Sequence, residues 1–358
     1  MKFSDVIGNR TVAEAMVSMA DSGRVAHAVL LYENEGCGAL ALALAYLQYL
    51  NCSNPSGGDS CGQCPSCRQM EKLIHPDVHF VFPVNKGPKT SDDKPTSESY
   101  VKYWRELAMA DPYFTEADLQ KAIGIESKNG LIAVAEAKSI ITKLSLAPVY
   151  DGYKAVVFYL PEKMNQETAN RLLKMVEEPP QKTLFLFITH APEKVLQTIF
   201  SRCQSIRVMP LTKEEQCQVQ ERRPMVEDED GTLFMELFSR LMNAIVAKDL
   251  MTVLECGEDA AALDSREKQK AFCNFAASCI RKIFMMQQNL QQIADVSEEE
   301  YGFYADMAAK CPKGFCVKQI ANIDKVVSMI DRNVSSKIVF CDLVNRMFMN
   351  VSDYGKGI

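Results

Sequence analysis

Five short β-rich runs alternate with helical patterns through the first two hundred residues, and no strand candidate is found from Thr232 onward. The runs are His27 to Tyr32, Val78 to Pro83, Lys154 to Leu160, Thr183 to Thr189 and Gln204 to Val208. Several are apolar almost throughout, the pattern of parallel strands covered on both faces. Helical stretches such as Ala39 to Asn51 and Glu167 to Glu178 lie between them. The alternation predicts an α/β domain over residues 1–210, with a parallel sheet and flanking helices.

The texture changes after Pro210. Thr212 to Arg223 reads as a polar helix, and Pro224 to Gly231 as an acidic, turn-like break. From Thr232 onward apolar residues recur at helical spacing in Leu233 to Ala247, Lys268 to Asn289, Glu298 to Lys310, Val317 to Asp331 and Ser335 to Met349. The expectation is an all-helical domain over 232–358, joined through a linker at 211–231. Asn85 to Ser99, rich in Lys, Pro, Ser and Asp, predicts a mobile surface loop. It leads into the amphipathic segment Tyr100 to Met109, which holds the sole tryptophan, Trp104.

A formal net charge of −6 argues against a protein that holds duplex DNA by itself, because such affinity comes largely from phosphate neutralisation. It favours protein partners, with DNA contact confined to local patches. No run of eighteen apolar residues is present to span a membrane, and Met1 to Val6 lacks an apolar export segment, so a cytoplasmic location is expected. Thirteen cysteines then sit in a reducing compartment, most of them as small core residues.

Cys52, Cys61, Cys64 and Cys67 form a separate pattern, C-x8-C-x2-C-x2-C. A two-residue gap lets both thiolates of a pair reach one ion from a tight turn, and four close a tetrahedral structural site. The spacing predicts structural Zn2+ in a module at 52–67, with an iron–sulfur cluster as the alternative metal group. A chance set of loop cysteines, or disulfides, is the other reading. His75 and His79 follow closely, but four thiolates already saturate zinc, so they are expected at strand edges and in hydrogen bonds.

Between the first strand and the next helix lies Glu33-Asn34-Glu35-Gly36-Cys37-Gly38-Ala39-Leu40. A phosphate-binding loop belongs there, with the pattern G-x-x-x-x-G-K-[ST]. Glu33 stands at the first glycine, Ala39 at the lysine and Leu40 at the hydroxyl residue, so only Gly36 and Gly38 survive. The main charge partners of a triphosphate are gone, and no ATP is expected here. The acidic residues that would hold magnesium and activate water at the end of the 154–160 strand are replaced by Tyr159 and Leu160. Glu162 and Glu167 read as solvated charges at a helix start.

With these motifs in view, the chain resembles the bacterial delta-prime clamp-loader family, a branch of the AAA+ ATPases, over most of its first 210 residues. Phe3 to Asn9 and Arg24 to Ala28 look like that family's opening segments. Asn165 to Pro180, with Asn170-Arg171-Leu172-Leu173-Lys174-Met175-Val176-Glu177-Glu178-Pro179-Pro180, resembles its signature helix, and Ser201-Arg202-Cys203 its S-R-C motif. The resemblance implies an AAA+-type domain with a zinc-module insertion and a degenerate loop, followed by an all-α collar domain that assembles subunits into a ring. It implies a non-hydrolysing subunit of the replicative DNA polymerase complex. Its partners are motor subunits of the tau/gamma type and a clamp-opening subunit of the delta type, with primer-template DNA reached through the complex.

The resemblance makes Arg202 a trans-acting arginine finger toward a neighbour's ATP; the bland reading is an arginine paired with an acidic helix. Thr189 resembles the family's sensor position. The family's lid looks shortened at 211–231, and the insert from Asn85 to Gly130 receives no role. Two other classes remain open: an active AAA+ ATPase of DNA metabolism, and a zinc-containing nucleic-acid-binding module.

Overall fold

A computed structural model describes residues 1–125, 128–222, 229–290, 296, 298–312, 314–332 and 334–352. The chain divides into two compact units, Met1–Met225 and Val226–Ile358.

The first unit is built on a five-stranded parallel sheet: β1 (Ala28–Tyr32), β2 (Val78–Val81), β3 (Lys154–Tyr159), β4 (Thr183–Thr189) and β5 (Gln204–Arg207), in the order β2-β3-β4-β1-β5. All four pairings are parallel, with Val29 opposite Leu186 and Val156 opposite Phe185. Side chains alternate along each strand, so the sheet divides its residues between two cores. Val29, Leu31, Val157, Tyr159, Leu186 and Ile188 point into one. Ala28, Leu30, Val156, Phe158, Phe185 and Phe187 point into the other. Every residue of β3 and β4 is buried, which explains runs apolar from end to end.

The first core is roofed by α2 (Ala39–Leu50) and by α4 (Ser97–Ala110), whose Trp104 packs against Phe80 and Phe82. Also in this unit are α1 (Arg10–Asp21), α3 (Pro65–Glu71) and α5 (Glu116–Ile123). The second core is covered by α6 (Val134–Ser145), α7 (Gln166–Glu177) and α8 (Gln197–Phe200). The short polar α9 (Lys213–Arg222) closes the unit, with only Val219 buried. The segment expected to be mobile, Asn85 to Ser99, is pinned at its base. Tyr100 donates its hydroxyl to Asn85 O at 2.9 Å and accepts from Gly87 N at 3.0 Å.

The second unit is all helix: α10 (Glu229–Ala247), α11 (Leu250–Ala261), α12 (Arg266–Gln287), α13 (Glu298–Lys310), α14 (Phe315–Asp331) and α15 (Ser336–Ser352). Its core gathers Phe238, Ile245, Phe272, Ile280, Tyr304 and Phe340. Two expectations need correction. Residues 229–231, expected in a turn, lie in the first turn of α10; the rest of that break, residues 224–228, is outside the described residues. The sequence reading also passed over α11, which begins with Asp249 capping Thr252 N.

Leu172, fully buried on α7, anchors the second core to the sheet. Its replacement by alanine is expected to cost about 2–5 kcal/mol of first-unit stability. Urea unfolding followed through Trp104, the chain's sole tryptophan, reads that unit directly; a midpoint equal to wild type would contradict the packing described.

Candidate functional site

The turn from β1 into α2 is where the degenerate loop was expected. Gly36 (φ 81°) and Gly38 (φ 101°) adopt the left-handed backbone the turn needs. Ala39 to Tyr49 of α2 are all buried, so water cannot serve the N–H groups at the helix start. A side chain of the loop does so instead. Glu33, itself 8% exposed, turns back and accepts from Ala39 N through Oε2 at 2.7 Å. A carboxylate thus sits at the helix N-terminus, the place where a phosphate would be held.

The other oxygen of Glu33 lies 3.5 Å from His190 Nε2, and Glu35 Oε1 lies 3.9 Å from His190 Nδ1. Burial works against a charged imidazole here, but Glu33, with Glu35 and Glu162 behind it, outweighs burial and raises the His190 pKa above its ordinary value. Tyr159, standing where a magnesium-binding acid would be, packs its ring edge against His190 at 5.6 Å. Leu160 holds a left-handed conformation (φ 59°) at the end of β3.

Glu162 departs from the expectation of a solvated charge. It accepts from Thr189 Oγ1 at 2.8 Å and from His190 N at 3.2 Å, tying the ends of β3 and β4 together. Glu167 is exposed and pairs with Arg171 one turn on. Thr189, at the sensor position, is fully buried and spends its hydroxyl on Glu162 and Ala191 N.

Tyr113 and Phe114, which the sequence did not single out, close the loop from the far side. They come from the turn between α4 and α5 and are each 3% exposed. A Cβ built on Gly38 would meet Tyr113 Cε1 at 2.6 Å. Tyr113 donates to Ile7 O at 3.1 Å and accepts from Ile7 N at 2.7 Å, and burial pushes its pKa up to about 12.

The four cysteines converge, with all Sγ atoms within 4.8 Å of one another and Cys61 and Cys67 at 3.9 Å. A tetrahedral ion with Zn–S bonds of about 2.3 Å places its sulfurs about 3.8 Å apart, so the set fits such an ion without large movement. Backbone amides already turn toward the sulfurs: Cys61 N to Cys52 at 3.2 Å, Cys64 N to Cys61 and Cys67 N to Cys64, both at 3.4 Å. Cys64 caps α3, with Pro65 in its first turn. Asp59 accepts from Phe3 N and Ser4 N, both at 3.0 Å, docking the first residues on the module. His75 stays outside the group: its Nδ1 accepts from Asp77 N at 3.2 Å. His79 lies on β2, where burial and then Lys143 lower its pKa to about 4.

Arg202 follows α8 directly. Its Nε donates to Glu177 Oε1 at 2.6 Å and its Nη1 to Thr198 O at 2.7 Å. Glu177 ends α7, so in the single chain Arg202 is paired with an acidic helix end while staying 34% exposed. Cys203 is held inward, donating to Ile199 O, with its pKa pushed by burial up to about 12.

A parallel sheet with β1 between β4 and β5, and a glycine turn from β1 into a buried helix, defines an AAA+-type α/β protein. The family described as "DNA polymerase III, delta subunit" matches residues 8–212, more than half of the chain, and the chain belongs to that family, in its delta-prime form. The DNA polymerase III subunit delta' of Yersinia pestis is 31% identical over 52% of this chain and 43% of its own length. That of Bacillus subtilis is 26% identical over 56% and 47%. The chain therefore spans somewhat less than half the length of these curated relatives. A DNA polymerase III gamma subunit-related protein of Thermotoga maritima, known by crystal structure, covers 95% of this chain and 99% of its own, at 14% identity and a TM-score of 0.35. No helix among the described residues is long and apolar enough to cross a membrane.

The His190 arrangement has a definite pH sign. A histidine whose folded pKa is raised contributes stability in full below its unfolded pKa of about 6.5 and loses it as pH rises through the folded value. Glu33→Gln is expected to lower the His190 titration midpoint in NMR and to flatten the loss of stability as pH rises above about 6.5. A midpoint unchanged by the substitution would exclude Glu33 as the partner.

Proposed function

We propose that this chain is a non-hydrolysing subunit of a sliding-clamp loader serving a replicative DNA polymerase. It completes the loader ring and lends an arginine to a neighbouring motor subunit. The observation that carries this reading is the Glu33 carboxylate on Ala39 N, at the spot where a working loop holds phosphate. Ala39 and Leu40 supply neither the charge nor the hydroxyl that a magnesium triphosphate needs. The family membership supplies the setting: partners of the tau/gamma motor type and the delta type, and DNA met through the assembled complex.

In this reading residues 1–210 are the AAA+-like body with its vestigial loop (Gly36, Gly38, Ala39 and Leu40). Residues 211–231 are a shortened lid, and 232–358 are the collar that joins the ring. Arg202, with Ser201 and Cys203 fixing its approach, exchanges Glu177 for the γ-phosphate bound by the next subunit. A planar guanidinium suits the equatorial oxygens of a transferring phosphoryl group. In a loader reconstituted with Arg202→Ala, clamp- and DNA-stimulated ATP hydrolysis is expected to fall by about tenfold or more while the complex still assembles. The isolated chain should show no turnover. Wild-type hydrolysis by the assembled mutant loader would make Arg202 purely structural.

Cys52, Cys61, Cys64 and Cys67 hold a structural Zn2+ in the proposed protein. With four thiolates no coordination position is left for substrate, so the ion braces the 52–67 module rather than reacting. Protein purified without a chelating tag is expected to carry about one zinc per chain, and the Cys64→Ser/Cys67→Ser variant to lose it. A metal content near zero, with all four thiols titrating freely, would end this assignment.

A further inference from the structure

The insert between β2 and α6 reaches the degenerate loop at one point, the turn Asp111 to Glu116, and its contacts there are numerous and specific. The Tyr113 ring lies over Gly38 closely enough that a Cβ at Gly38 would meet it at 2.6 Å, and Tyr113 O is 3.5 Å from the place of a Cβ on Gly36. Phe114 packs tilted against Tyr159, with ring centroids 5.1 Å apart, and accepts the Tyr159 hydroxyl through its carbonyl at 3.3 Å. Glu116 N donates to Glu35 Oε1, and the Glu116 carboxylate pairs with Lys163 at 2.9 Å. The turn thus touches the loop on one side, through Gly36, Gly38 and Glu35, and the end of β3 on the other, through Tyr159 and Lys163. Those are the two walls between which a nucleotide's phosphates and their metal would lie.

We infer that Asp111 to Glu116 is an internal plug. It fills the nucleotide cleft with this chain's own Tyr113 and Phe114, so the missing lysine and hydroxyl are only part of why no nucleotide enters. The inference rests on the nucleotide-free reading of the loop and adds a physical barrier to it. It also gives the insert a role, that of holding the cleft in one filled conformation independent of ATP. Two anchors keep it there. Tyr113 is locked to both backbone polar groups of Ile7, and α5 starts directly behind it with Thr115 and Asp118 capping one another.

The test separates chemistry from occlusion. One variant repairs the loop (Glu33→Gly, Ala39→Lys, Leu40→Thr); a second adds Tyr113→Ala to those three. Binding of a fluorescent ATP analogue with Mg2+ is measured for both, with circular dichroism and metal content as checks of folding. The combined variant is expected to bind about tenfold or more tightly than the repaired loop alone. Equal binding by the two, including no binding by either, overturns the plug. Amide hydrogen exchange on the otherwise unaltered chain gives an independent reading. Glu35→Ala removes an exposed tether to Glu116 without touching the core, and is expected to speed exchange at residues 36–41 by about tenfold. Unchanged exchange there also overturns the plug. Nucleotide bound by the unaltered chain is a different result: it would sink the nucleotide-free reading of the loop itself.

Discussion

A helix buried on every side cannot leave its first amides to water, and α2 is such a helix. That constraint shapes the whole cleft. In a working loop a bound phosphate answers those amides; here Glu33, from within the chain, answers the first of them, Ala39 N. Removing a carboxylate from water costs several kcal/mol, whereas a hydrogen bond to a charged group returns only about 1.5–3 kcal/mol and the helix dipole about 0.3–2 kcal/mol. The comparison shows why Glu33 does not stand alone. His190 faces it at 3.5 Å, and the same carboxylates raise the imidazole's pKa and so favour its charged form. Glu162 then fixes His190 through its backbone N–H, and Thr189 fixes Glu162.

The parts of this arrangement that could be read from sequence are those whose cause is local. β1, β3 and β4 appear as apolar runs because they are covered on both faces, whereas β5, at the sheet edge, is largely exposed. The observed bounds coincide with the reading for β4 and fall one or two residues short of it at one end of the others, where buried residues such as Phe82, Leu160 and Val208 continue past the strand. The cysteine module is legible for a similar reason, since two-residue gaps bring thiols together whatever the surrounding fold does. The departure from the phosphate-loop pattern is legible as well, because the pattern is a short string and Ala39 and Leu40 break it.

What the sequence concealed is carried by long separations. Tyr113 meets Ile7 across 106 positions, and nothing about an isolated Pro-Tyr-Phe-Thr stretch announces that it will cover a glycine turn near the start of the chain. Glu162 looked like a helix-start charge because it does begin a short turn; only the return of β4 brings Thr189 beneath it. α11 escaped notice for another reason. Its buried face is built from Val253, Cys256, Gly257 and Ala260, small residues that allow close packing in place of large apolar side chains. Gly257 in particular sits against Val344, where a Cβ would meet a methyl at 2.8 Å.

Arg202 shows how one geometry serves two readings. Its pairing with Glu177 is the bland alternative weighed from the sequence, and taken by itself it explains the residue. The energetics decide whether that pairing excludes the proposed finger. Both partners are partly exposed, at 34% and 44%, and ion pairs of that kind contribute about 0–1 kcal/mol. A γ-phosphate carries more charge than a carboxylate and, between packed subunits, meets the guanidinium in drier surroundings, where charge-assisted bonds are stronger. Glu177 is therefore a weak holder. In the proposed ring it would keep the guanidinium extended until a neighbour's nucleotide displaced it. The buried carboxylate at the head of α2 has the opposite character. Glu33 is 8% exposed, bonded to the helix it caps and faced by His190 at 3.5 Å. In the proposed subunit this end of the unit would exclude nucleotide, while the other would keep an arginine available for a nucleotide held by a neighbour.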